Sequence, residues 1–194
     1  MLWIFWLVFA YFLGSLPFGL LVAKISCGID PRTHGSKNTG ATNVARLCGF
    51  KYGVAALILD ISKGFIPVLM AAQYSHNWMF LSLVALSAVV GHVFSIFLDM
   101  RGGKAVATTI GAFLVLAPAA TLWSVVFCII VIMLSGYVSM GSLTLAVSLP
   151  VMALLTGNFG CILLGCILTV LLFWTHRENI RRLAIGEENS WKKK

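Results

Sequence analysis

The chain has 194 residues, of which 60% are hydrophobic and only 10% charged, and its formal net charge is +8. A soluble domain carries about 25% charged residues, so this composition excludes one and points to a membrane protein. The placement of the positive charge also excludes nucleic acid as its meaning. Lys and Arg flank apolar stretches, where they orient spans and meet anionic lipid.

Residues 2–23 are apolar and reach the ~20 residues a helix needs to cross hydrocarbon. No cation precedes Lys24, which predicts a retained span with its N-terminus outside rather than a cleaved signal. A polar stretch follows, with Lys24, Arg32, Lys37, Arg46 and Lys51. All but one of the fourteen Lys and Arg residues lie in three such stretches. The others contain Arg101 and Lys104, then Arg177, Arg181, Arg182, Lys192, Lys193 and Lys194. Basic loops are retained in the cytoplasm, so all three are expected on one face.

Within the first stretch, residues 35–46 read G-S-K-N-T-G-A-T-N-V-A-R and turn helix-compatible at Ala41. A loop entering a helix start offers backbone N–H groups, with the Ser36, Thr39 and Thr42 hydroxyls beside them. Arg46 adds a bidentate fork, so the segment suits a phosphate. A flexible polar loop capped by Thr or Asn is the plainer alternative. Cys27 and Cys48 belong to the same cytosolic stretch, which predicts reduced thiols rather than a disulfide.

Residues 52–74 and 78–98 form a predicted hairpin of spans around the uncharged link 75–77. Asp60 and Lys63 stand at i, i+3 in the first of these. A charge inside a span costs ~2.5–3.5 kcal/mol, so a structural ion pair is expected, with direct substrate contact as the alternative. His92 and Ser95 share a face of the next span, where an interhelical hydrogen bond is expected for His92. Residues 101–104 then read R-G-G-K. Two glycines would let backbone amides approach an anion, and Lys104 would supply a point charge. A positive-inside turn explains that motif equally well, and it is not a Walker loop.

From 105 to 176 the chain is almost continuously apolar, with turn signals at 117–118, 135–137 and 156–158. These divide it into four pieces, the first rather short, and an even number is needed to keep the basic clusters on one face. The expected fold is therefore all-α and membrane-integral. It has seven transmembrane helices with the N-terminus out and C-terminus in, forming a single polytopic domain over 1–194. Beyond the last span, His176, Asn179 and Leu183 share one helix face, and Arg177 and Arg181 lie on another. Glu178 can pair with Arg181 or Arg182, and the segment suits an interfacial anchor and a site equally. No Asp, Glu or His cluster has metal-ligand spacing, and neither H-x-x-x-x-D nor G-x-S-x-G occurs.

Three separated motifs together resemble the bacterial acyl-phosphate-dependent glycerol-3-phosphate acyltransferases. They are the segment at 35–46, G-H-V-F-S-I-F-L-D-M-R-G-G-K-A-V-A-T at 91–108 and H-R-E-N-I-R-R-L at 176–183. L-D-I-S-K-G-F-I-P at 59–67 fits the same pattern. The resemblance implies acyl transfer from acyl phosphate to glycerol 3-phosphate, giving lysophosphatidate and phosphate without metal or cofactor. It implies a bacterial inner-membrane enzyme, bathed in membrane lipid, with its site facing the cytosol. Ser36, Arg46, Lys104, His176 and Asn179 become the catalytic candidates. Asn38, Thr42, Asn43, Gly102 and Gly103 join Ser36, Arg46, Lys104 and Asn179 as substrate-binding candidates. Asp60, Lys63 and His92 stay structural or unassigned. Lys37 and Ala105 depart from the family pattern, each standing where Gly is common. A small-anion transporter lined by Asp60, Lys63 and His92 is the alternative, and the chain shows no clear internal repeat to support it.

Overall fold

The computed structural model describes residues 2–191, so Lys192, Lys193 and Lys194 of the third basic cluster lie outside the described residues. All regular structure among the described residues is helical. Backbone contacts divide the chain into one unit up to Val115 and a second from Leu116.

In the first unit, α1 (Leu2–Ser15) and α2 (Phe18–Cys27) replace the single predicted span. Pro17 has no N–H to donate and disfavours helical geometry at Leu16, so the helix breaks there. The pair still forms a stretch, Trp3–Cys27, long and apolar enough to cross a membrane. Next come the short α3 (Ala41–Cys48), then α4 (Phe50–Tyr74) and α5 (Trp78–Val93). Asn77 caps α5 by accepting the Phe80 N–H at 2.9 Å. A 3-10 turn, Ile96–Leu98, and an irregular loop lead to α6 (Val106–Leu116). The eleven residues of α6 rise about 16 Å, roughly half the hydrocarbon thickness.

The second unit contains α7 (Pro118–Ser135), α8 (Val138–Leu155), α9 (Ile162–Thr175) and α10 (Arg177–Ala184). Its divisions follow the predicted turn signals: Pro118 opens α7, Gly136 closes it with φ 79°, and Gly157 follows α8 with φ 76°. The axis bends by 60° between α9 and α10. Among the described residues, five helical stretches are long and apolar enough to span a membrane, or six counting the bent α9–α10 pair.

Small residues bring the helices of the first unit together, as is usual where lipid removes the hydrophobic drive for association. Gly14 lies on the Ala88 backbone and Gly91 on that of Tyr11, closing α1 on α5. Gly64 meets the Thr108 carbonyl and Gly111 that of Ile61, closing α4 on α6. Aromatic rings gather where α1 begins, α4 ends and α5 begins. Their centroids lie 5.0 Å (Trp3–Phe80), 6.1 Å (Tyr74–Phe80) and 6.4 Å (Trp6–Tyr74) apart. In the second unit Thr169 Oγ1 donates to the Ala146 carbonyl at 2.6 Å, tying α9 to α8.

One expectation is overturned: Cys27 and Cys48 are joined as a disulfide, with Cα atoms 5.8 Å apart. The connection between α2 and α3 folds back and brings the two helix ends together. An argument from cellular compartment has no access to that proximity.

Candidate active site

The first loop is organised from within by Asn43, which is buried on α3. Its Nδ2 lies 2.9 Å from the Pro31 carbonyl, 3.1 Å from that of His34 and 2.9 Å from that of Asn38. Its Oδ1 accepts the Ser36 N–H at 2.9 Å. All four partners are loop backbone, so the Asn43 side chain is a hub holding residues 31–38. Gly35 lies so close to Asn43 Oδ1 that a β-carbon would collide with it. Asn38 Oδ1 is likewise engaged locally, accepting the Gly40 N–H at 2.9 Å. The helix start predicted at Ala41 is present, capped by Gly40 with no side-chain hydrogen bond rather than by Thr or Asn. Ser36 and Thr42 are half-buried, and Arg46 is exposed in the last turn of α3. At the loop's entrance Arg32 binds Asp30 at 2.8 Å. Its side-chain and backbone hydrogen bonds hold the Asp30 carboxyl well below the usual carboxylate range.

The R-G-G-K turn uses its amides inwardly. The Gly102 N–H donates to the Val93 carbonyl at 2.9 Å and the Gly103 N–H to the His92 carbonyl at 3.1 Å. The expectation that these amides face an anion is therefore corrected: they satisfy the carbonyls that α5 exposes where it ends. Glycine is required sterically, because a β-carbon on Gly102 would meet the His92 carbonyl and one on Gly103 the His92 ring. Lys104 follows half-buried. Asp99, Met100 and Ala105 all adopt left-handed backbone, with φ of 50°, 62° and 63°.

Beneath that turn lie the three groups left unassigned by the sequence. Lys63 Nζ binds Asp60 Oδ1 at 2.9 Å and donates to the Leu16 carbonyl at 2.9 Å, beside the α1–α2 break. His92 Nδ1 is 2.8 Å from Thr108 Oγ1, the interhelical bond anticipated for it. A narrow cleft joins these groups to both loops, being lined by Ser15, Thr39, Asp60, Lys63, His92 and Gly103 among others.

The second unit carries the remaining candidates. His176 is buried at the α9–α10 bend, and its Nδ1 lies 2.8 Å from the Leu172 carbonyl. A carbonyl only accepts, so Nδ1 bears the proton and Nε2 is the basic nitrogen. Asn179 Nδ2 donates to Glu188 Oε1 at 2.6 Å, and Ser139 Oγ donates to the same oxygen at 2.8 Å. Arg182 takes Glu188 Oε2 at 2.8 Å, an ion pair to the tail rather than to Glu178. Arg177 instead stacks 4.7 Å from the Trp174 ring centre. Burial alone would raise the Glu188 carboxyl, but the hydrogen bonds from Asn179, Ser139 and Arg182 outweigh it and hold it below the ordinary glutamate range. Sequence reading missed Glu188, Ser139 and Thr108. Glu188 stands nine residues from Asn179, beyond any helical spacing rule. Ser139 offered only its place after the Gly136 turn.

A model of the family described as glycerol-3-phosphate acyltransferase matches residues 4–186. A glycerol-3-phosphate acyltransferase of Maridesulfovibrio salexigens is 75% identical over 194 residues, covering all of both chains. One of Fusobacterium nucleatum is 41% identical over 96% of each. Among solved structures, that of PlsY (YgiH), an integral membrane glycerol 3-phosphate acyltransferase in its glycerol 3-phosphate form, superimposes with a TM-score of 0.94. It is 36% identical, with 99% of this chain and 96% of that one covered. The lysophosphatidic acid form gives 0.92 at the same identity.

Both departures from the family pattern fall on left-handed backbone, Lys37 at φ 55° and Ala105 at φ 63°. Left-handed geometry costs an L-residue roughly 1–2 kcal/mol, partly offset by the greater chain entropy of glycine. Lys37→Gly, on the exposed loop, is expected to raise stability by up to about 1 kcal/mol, read as a higher Tm in detergent. A second test concerns Glu188. Its lowered carboxyl stabilises the fold above the unfolded glutamate range, and that contribution is lost as pH falls through the folded value. Wild-type protein should therefore open around residues 177–191 on acidification. Glu188→Gln should be weaker at neutral pH and lack that acid dependence, as followed by limited proteolysis across a pH series.

Proposed function

The chain belongs to the glycerol-3-phosphate acyltransferase family, and from that premise we propose that it transfers a fatty acyl group from acyl phosphate to the 1-hydroxyl of sn-glycerol 3-phosphate. The products are 1-acyl-sn-glycerol 3-phosphate (lysophosphatidate) and inorganic phosphate. The observation that carries this reading is the relationship at 75% identity over all 194 residues, covering the whole of both chains.

The glycerol hydroxyl oxygen attacks the acyl carbonyl carbon, and the bond from that carbon to the phosphate oxygen breaks. Phosphate leaves with the bonding pair, and the hydroxyl proton passes to a base. Both substrates are phosphates that repel each other, so cations must gather them; Arg46 and Lys104 are assigned that task. Ser36, Asn38, Thr42 and Asn179 orient the substrates as hydrogen-bonding groups. Asn43, Gly102 and Gly103 contribute by holding the loops, in keeping with their internal hydrogen bonds. His176, basic at Nε2, is the protein's proton acceptor, and the departing phosphate is the other base available. An acyl phosphate is already activated, so positioning alone supplies much of the acceleration and no acyl-enzyme is required.

The proposed topology counts α6 as a seventh span beside the six long stretches, with one membrane domain over the whole chain. Its N-terminus is outside, and its basic loops and C-terminus are on the cytosolic side of the bacterial inner membrane. The ring of Trp3, Trp6, Tyr74 and Phe80 suits a membrane interface, where Trp and Tyr are enriched, and its side follows from the basic loops alone. Lys63 is committed to Asp60 and to Leu16, which favours bracing over a transport pathway.

Purified protein should convert glycerol 3-phosphate with acyl phosphate in excess chelator and fail with acyl-CoA. Arg46→Ala and Lys104→Ala should each lower kcat/KM by roughly 10²–10³ while leaving folded protein in the membrane. Robust transfer from acyl-CoA would overturn the donor assignment, and magnesium-dependent rescue after chelation the metal-free mechanism. Near-normal kinetics in both variants would overturn the site.

A further inference from the structure

The buried polar groups Asp60, Lys63, His92 and Thr108 have no assigned part in the reaction, yet the three ionisable ones are costly inside a membrane span. Their arrangement around Lys104 explains why the fold retains them. Lys104 directly follows Gly103, whose N–H donates to the His92 carbonyl at 3.1 Å. It precedes by one turn Thr108, whose hydroxyl lies 2.8 Å from the His92 ring nitrogen. One residue of α5 thus grips the chain on both sides of Lys104, with its carbonyl before and its imidazole after.

The proton order follows from which groups can only accept. The Asp60 carbonyl lies 3.1 Å from Thr108 Oγ1 and can only accept, so the threonine hydroxyl donates to it. Thr108 Oγ1 is then the acceptor for His92 Nδ1–H. The relay runs from α5 through the first turn of α6 to the backbone of α4. Lys63 extends it, linking the Asp60 carboxylate to the Leu16 carbonyl at the break in the first span. Ser95 Oγ donates to the Ser15 carbonyl at 2.6 Å and adds a second tie between the end of α5 and that break. The loop so held contains Asp99, Met100 and Ala105 in left-handed backbone, a conformation that persists only where its surroundings over-determine it.

The geometry points to Asp60, Lys63, His92 and Thr108 as one positioning network that holds the 99–105 loop, and with it the Lys104 ammonium, in the conformation that binds substrate phosphate. They are positioning residues, acting through Lys104. The inference rests on the assignment of Lys104 to phosphate binding, and its test separates the two.

Thr108→Val keeps the shape of the side chain and removes the relay's central hydroxyl; Thr108→Ser restores it. Amide hydrogen exchange of a peptide covering 99–105 reads the loop without reference to activity. Kinetics with acyl phosphate and glycerol 3-phosphate read the consequence. Thr108→Val should speed exchange of the Gly102 and Gly103 amides about tenfold, as expected for losing one buried hydrogen bond. Exchange in α7 and α8 should not change. KM for at least one phosphate substrate should rise by a similar factor, with kcat changing less, and Thr108→Ser should reverse both effects. Unchanged loop exchange, or exchange rising equally throughout the protein, would overturn the network. A loosened loop with unchanged KM, while Lys104→Ala still raises it, would overturn the link to Lys104. If Lys104→Ala also left KM unchanged, the assignment of Lys104 to phosphate would fall instead.

Discussion

Where α5 ends, its last carbonyls have no helical partners, and His92 and Val93 are buried from the water that could otherwise supply donors. The donations from Gly102 to Val93 and from Gly103 to His92 meet that need. They turn the chain back on itself and set the course of everything that follows. Only a residue without a β-carbon can lie so close to the His92 carbonyl and ring. The glycines therefore serve the turn first, and the placement of Lys104 is a consequence. His92, Thr108, Asp60 and Lys63 then carry the same requirement down through α6 and α4 to the break at Pro17. A polar backbone irregularity at one membrane face is thus satisfied by a chain of buried polar partners beneath it.

The other two candidate segments use a different device for the same problem. In the first loop a single amide, Asn43, gathers the backbone of residues 31–38. In the C-terminal segment a single carboxylate, Glu188, gathers Ser139, Asn179 and Arg182. Each hub has more hydrogen-bonding capacity than one partner can use, so Asn43 fixes several points of one loop at once and Glu188 ties the tail to both α8 and α10. The proposed chemistry asks for fixed cations and amides near two phosphates, and fixed loops are the means of having them ready before substrate arrives.

The five long spans were legible because composition and length decide them, whereas the seventh expected, at Val106–Leu116, is only a short apolar helix. The turn at Gly136 and the start at Pro118 were legible because those residues punctuate helices. The break in the first span could have been read from Pro17, yet an unbroken apolar run concealed it. The pairing of Asp60 with Lys63 followed from helical spacing and the cost of a lone charge. What could not be read was direction and distance. Gly-Gly-Lys looks the same whether its amides point outward to an anion or inward to α5. Asn43 is one amide among several in a polar loop, and nothing in its neighbours marks it as the hub. Glu188 reaches Asn179 only because the chain reverses after α10, and Cys27 meets Cys48 only because the first loop folds back. Such contacts are tertiary, and no local pattern encodes them.

The account depends on the basic loops and the C-terminal segment sharing one side of the membrane. Single cysteines at 37, 76 and 187, all exposed positions, can test it in a cysteine-free variant that retains acyl transfer. An impermeant thiol reagent would be applied to intact cells and to inverted vesicles. Positions 37 and 187 should label only in inverted vesicles and position 76 only in intact cells. Labelling of 37 and 187 from opposite sides would contradict a shared site, whatever the kinetics of the individual variants.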